Sequence, residues 1–270
     1  MKRFPTLLSL IAFAVLVGAM SASATDSSDS SGASDDAIKT YDHEYRLTNS
    51  RTEVIVGVGN PDGTCTFAYP VLSLEPDESA VEARPVQIDF EKCVQTVEIG
   101  TPPASSLDEE SEGVLATEEF KTIGRSGTLD GQRASTSGDG VTLAASGSAT
   151  VYYEVRWEDL VHIDTTRTRA YLTWSWNGSC VTSSSAWGSY WYFTGWSLVS
   201  SSGYKTSSCN NHTSVVDSAH YNGPTVCDPD TWVDDAWSRG YYDGRVNGGL
   251  GSTWTSPSCT LHYHTVLVKY

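Results

Sequence analysis

The stretch Tyr171–Val199, YLTWSWNGSCVTSSSAWGSYWYFTGWSLV, carries Trp174, Trp176, Trp187, Trp191 and Trp196, five of the nine tryptophans in the chain. Aromatic and β-branched residues at this density suit pleated, half-buried strands better than helices. Leu172, Trp174 and Trp176 project to one face of a strand, and Tyr171, Thr173 and Ser175 to the other. Asn177-Gly178 follows and predicts a two-residue hairpin turn, because such turns need positive φ at both central positions. That turn sets Trp176 opposite Ser179, Trp174 opposite Val181 and Leu172 opposite Ser183, with Cys180 across from Ser175. Trp187–Val199 reads as the next strand, aromatic on both faces, as in the middle of a sandwich.

Further strands are expected at Thr150–Trp157, Ser179–Ser185, Gly240–Val246 and Leu261–Tyr270. Short strands between Gly, Ser and Asn turns predict an all-β protein, with a disulfide-stabilised, β-sandwich-like C-terminal domain over 149–270. Upstream, 41–101 alternates in Val86–Phe90 and Val94–Ile99 and reads as a small β unit. A unit of that size buries a marginal core. Between the two, 102–148 reads as an acidic and then Gly/Ser-rich linker, with a helical turn or two over Val114–Phe120.

The first residues constrain the compartment. Lys2 and Arg3 precede the apolar run Leu7–Val17, and Ala22-Ser23-Ala24 closes an export signal over 1–24. A Ser/Asp-rich leader, 25–40, is too poor in apolar residues to fold. No later apolar run is long enough to span a bilayer, so a secreted, extracellular chain is expected. Cys65, Cys93, Cys180, Cys209, Cys227 and Cys259 are even in number and form no C-x-x-C pair. In an oxidising compartment they predict three bridges, and pairing neighbours gives Cys65–Cys93, Cys180–Cys209 and Cys227–Cys259.

Charge is uneven. Residues 25–149 hold 23 Asp/Glu and 8 Lys/Arg, a net of −15, while 150–270 hold 10 and 7, a net of −3; Lys2 and Arg3 bring the total to −16. Nucleic acid and anionic membranes are poor partners for such a chain.

Several constellations carry candidate chemistry. His262-Tyr263-His264 places two imidazoles on one strand face, close enough to share a metal, with His212, Asp217 or His220 as further ligands. Asp228, Asp230, Asp234 and Asp235 offer oxygen ligands for calcium, without the glycine of a calcium loop; alternatively Asp230 caps a helical turn reaching Trp237. Among Glu154, Glu158, Asp159, Asp164 and Asp243 no spacing selects a hydrolytic carboxylate pair, and the Ser-rich loops lack a G-x-S-x-G elbow. Trp187, Tyr190, Trp191, Tyr192 and Trp196 are candidates for stacking on sugar rings.

The sequence thus favours a secreted, non-enzymatic protein that binds carbohydrate or cell-surface material, with no cofactor expected. A secreted metal-dependent hydrolase is the alternative, and a structural or interaction protein without a small ligand is the third class. Rings lining a groove free of titratable groups point to binding. Histidines converging with an Asp or Glu in a cleft point to catalysis.

Overall fold

In the computed structural model the described residues are 37–107, 114–120, 146–159, 163–206, 211–223, 230–255 and 261–270. The export signal, nearly all of the leader, Cys209, Cys227, Cys259 and Asp228 lie outside them. The described chain is almost entirely β. A long sheet runs in the order β2 (Thr48–Val56), β7 (Val94–Thr101), β6 (Ala80–Asp89), β17 (His262–Lys269), β9 (Gly147–Glu158), β10 (Asp164–Trp176), β11 (Val181–Tyr192), β8 (Val114–Glu119), with β1 (Ile38–Thr40) also beside β6. A second sheet runs β12 (Ser197–Lys205), β13 (His212–Asn222), β14 (Asp230–Tyr241), β15 (Val246–Gly249), β5 (Leu72–Leu74). A small third sheet joins β16 (Thr253–Thr255), β4 (Cys65–Phe67) and β3 (Val58–Gly59). The last strand, β17, pairs with both β6 and β9, so residues from the two ends of the chain share one continuous sheet.

Period two decides which face each residue takes. On β9, Val151, Tyr153, Val155 and Trp157 join a buried cluster with Leu172 and Trp174 of β10. The same cluster holds Val215 of β13, Val233 and Ala236 of β14, and Val246 of β15, so the second sheet packs face to face on the long one. Trp174 lies flat against Gly240, where a Cβ would come within 2.4 Å of its ring, and its Nε1 donates to the Tyr241 carbonyl at 3.0 Å. A fully buried ring of this kind contributes roughly 3 kcal/mol or more. The Cys65–Cys93 disulfide forms as expected and sits in a separate small core with Tyr41, Phe67, Ile88 and Phe90.

The local expectations fare unevenly. Leu172, Trp174 and Trp176 do share a face, with Trp176 stacked on Trp174 at 5.5 Å. The hairpin register does not hold: Trp176 pairs with Val181, Trp174 with Ser184 and Leu172 with Ala186. Asn177 Oδ1 accepts from the backbone N–H groups of Ser179 and Cys180, which stretches the turn to four residues and removes Cys180 from the ladder. Residues 181–192 are one unbroken strand, and Val114–Glu119 is strand β8, not a helical turn. Asp230–Tyr241 is strand β14 where a capped helical turn was the expectation, and the expected strand Gly240–Val246 is broken by a turn over 242–245 that joins β14 to β15.

Candidate functional site: the charged outer face

Directly behind the apolar face of β9 lies a charged one. Tyr152, Glu154, Arg156 and Glu158 alternate with the core residues and are all buried. The register sets Glu158 beside His262 of β17, Arg156 between His264 and Arg167 of β10, and Glu154 beside Arg169. Glu82 and Arg84 come from β6, one strand further on.

A strap covers this face. Tyr41, His43, Tyr45 and Leu47 turn inward, while Asp42, Glu44 and Arg46 are exposed. The strap attaches where the long sheet has a gap. β6 pairs with β17 through Ala80–Ala83 and with β1 through Gln87–Asp89, and the ladder to β7 slips between Pro85 and Gln87. Proline in a sheet interior occupies such irregularities because it has no N–H to donate. The strap takes the carbonyls of this gap: the Tyr41 N–H donates to Val86 at 3.0 Å, and His43 Nε2 lies 2.6 Å from the Pro85 oxygen. Tyr45 donates to Glu82 at 2.7 Å, and its ring sits under the Arg84 guanidinium at 5.2 Å. The ring of Tyr41 touches His262 at 4.9 Å.

His264 bridges two carboxylates. Its Nδ1 is 3.1 Å from Glu82 and its Nε2 is 2.8 Å from Glu158. Arg156 donates to Glu154 at 2.7 Å and stands 3.8 Å from Asp164. Arg167 closes on Asp164, Arg169 on Glu154, and Arg84 reaches Glu98 at 2.8 Å. Five carboxylates (Glu82, Glu98, Glu154, Glu158, Asp164) therefore meet four guanidiniums and the imidazole of His264, with the imidazole of His262 3.9 Å from Glu158. A protonated His264 brings this set to neutrality. Burial works against that proton, but hydrogen bonds to Glu158 and Glu82 outweigh burial and push the imidazole up to about 9. Burial likewise opposes the charges of Glu82 and Glu154. His264 and the arginines nevertheless hold both carboxyls below the ordinary range. His43 goes the other way: burial, aided by the charge of Arg84, lowers it to about 4 and leaves it neutral.

Between the strap residues His43 and Tyr45 and the sheet residues Arg84, Arg156, Glu158, Asp164 and His264 is a cavity of about 20 Å³, room for one or two waters. One donor atom each from Glu158, Asp164 and His264 lies within 4.8 Å of the other two. Two donors on one zinc stand about 3.4 Å apart.

The expected site residues divide. His262 and His264 do share a face, both buried. His212 and His220 belong to β13 of the second sheet, paired with Tyr241 and Trp232, and do not join them. Asp217 is on the same β13, buried between the sheets, where it accepts from the Tyr190 hydroxyl at 2.8 Å. Asp230, Asp234 and Asp235 are strand residues of β14, and Asp228, the fourth residue of that set, lies outside the described residues. The five candidate stacking rings do not share one face. Tyr190 is fully buried and Tyr192 packs on Tyr221. Trp196 packs against the core. Trp187 stacks on Tyr171 at 4.9 Å, and Trp191 carries Arg167 at 5.0 Å. Sequence reasoning missed His43, Tyr45, Glu82 and Arg84. A signal existed in the strap, whose Tyr41, His43, Tyr45 and Leu47 fall at period two. No protein-family model, curated protein or solved structure matches the chain, so the site must be read from its own chemistry.

Proposed function

We propose that this is an exported protein that binds a divalent cation through Glu158, Asp164 and His264, and that its activity, if the ion is zinc or manganese, belongs to the metal-dependent hydrolases. The observation that carries this reading is the convergence of an imidazole and two carboxylates at one solvent-sized cavity. Two oxygens and one nitrogen would suit zinc and its neighbours once the ion displaces the proton that His264 otherwise carries, and three protein ligands would leave a position for water. A bound ion supplies a water acidic enough to attack near neutral pH. His43 is the base at hand: it is neutral, lines the same cavity and is fixed through Nε2 on the Pro85 carbonyl. The carbohydrate platform is the weaker reading, since Tyr171 and Arg167 occupy faces of Trp187 and Trp191.

A second reading rests on the charge balance. Five carboxylates against five cations form a lattice that needs no ligand, and its role is then to hold the strap on the sheet. Calorimetric titration of the chelator-treated mature chain with zinc, manganese and calcium separates the two. The metal reading expects one site per chain, weakened at least tenfold in Asp164→Asn and His264→Gln variants that keep the native circular dichroism, and unchanged in Trp187→Ala. No binding, or binding indifferent to Asp164 and His264, overturns it and leaves the structural lattice.

A further inference from the structure

At one edge of the long sheet, β2 pairs among the described residues only with β7. Val54 and Val56 on this edge are 67% and 75% exposed, and Val58 just beyond is 69% exposed. Valines recurring at period two on an open edge present both an apolar row and a line of unpaired backbone groups.

The charges on the strand indicate what fits there. Arg51 and Glu53 flank Thr52, the middle residue of Thr48–Val56; both are exposed and pair with each other at 3.0 Å, a pair that two copies could exchange. Antiparallel pairing of two β2 strands about a two-fold axis through Thr52 sets each Arg51 opposite the Glu53 of the other copy. Val54 then lies opposite Ser50. A bulge between Thr48 and Arg51, with Asn49 at φ 51°, limits the regular ladder to the residues around this centre. The other edge of the sheet, β8, offers no such match: Glu118 and Glu119 lie on a six-residue strand without a cation. An isologous contact satisfies the charges twice and closes on itself, whereas pairing β2 with β8 would generate an open chain.

We propose that two copies of this chain associate through β2, antiparallel about Thr52, joining their long sheets into one. The partner is a second copy, selected by the Arg51–Glu53 exchange and held by backbone hydrogen bonds and the exposed valines. The inference is independent of the metal site.

Sedimentation equilibrium of the mature chain, in enough salt to screen its net charge of −16, tests it. A dimer is expected at micromolar to 100-micromolar protein. Arg51→Glu sets like charges opposite each other at two places and should weaken the dimer at least tenfold. Arg51→Glu combined with Glu53→Arg restores the complementarity and should restore the dimer. Circular dichroism on each variant confirms that the monomer stays folded. A monomeric wild type overturns the proposal, including the case in which β2 amides are protected from exchange because another segment of the same chain covers them. A dimer that R51E leaves intact, or that the double variant fails to recover, overturns it as well.

Discussion

The two faces of β9 and β10 bury ionisable groups in opposite ways. On the outer face the charges are many and mutually paired: Glu154 lies between Arg156 and Arg169, and His264 between Glu82 and Glu158. On the inner face, between the sheets, Asp217 is almost alone. Its Oδ1 accepts from Tyr190, and its Oδ2 has no hydrogen-bond partner among the described residues. The outer groups keep their charges. The inner one surrenders its charge, burial pushing the Asp217 carboxyl up to about 8. Burial depth is similar in both places, so what separates them is the company each group keeps.

Substitutions can break that comparison from either side. The largest loss is expected from the apolar inner face: Trp174→Ala empties the space over Gly240 and should cost about 3–5 kcal/mol in denaturant unfolding. Glu154→Gln on the outer face strands the buried Arg156 guanidinium and the half-buried one of Arg169 and should cost about 3 kcal/mol, read the same way. If it costs nothing, the lattice is not an interdependent set.

Asp217→Asn should go in the other direction. The folded carboxyl holds its proton up to about 8, whereas the unfolded one releases it near 3.8. The folded state thus binds more protons between these values, and stability falls as pH rises from about 4 to about 8. The asparagine variant, which still accepts from Tyr190, should be more stable than wild type by about 1 kcal/mol or more at pH 8 and lose that advantage near pH 4. His264 contributes with the same sign, further to the alkaline side. Its folded value of about 9 exceeds the ordinary 6.5, so its stabilisation is complete below 6.5 and disappears as pH passes 9. Melting curves of D217N across pH 4–10 should therefore lose the decline between about 4 and 6.5 and keep a shallower one from about 6.5 to 9. The smallest effect is expected for Trp187→Ala, about 1 kcal/mol, because that ring is half-buried and stacked on a single neighbour.

What the sequence revealed follows the range of the interactions. Period two placed His262 and His264 on one face and Trp174 with Leu172 in the core, since alternation needs only the strand itself. Glu82, the carboxylate that meets His264, stands 182 residues away in the chain. Nothing local announces that β17 will slot between β6 and β9. The Asn177-Gly178 register failed for a nearby reason: the Asn177 side chain caps two N–H groups and lengthens the loop. At Val114–Phe120 a helical turn or two was the expectation, but the open side of β11 recruited Val114–Glu119 as its edge strand.

A metal ion held by Glu158, Asp164 and His264 is the reading proposed for this site. Anomalous diffraction at the zinc edge, from crystals of the mature chain grown with zinc, tests it most directly. The expected result is a peak about 2.0–2.2 Å from one oxygen of each carboxylate and a nitrogen of His264. A zinc-saturated crystal with no peak there, and with His264 still bridging Glu82 and Glu158, would contradict it.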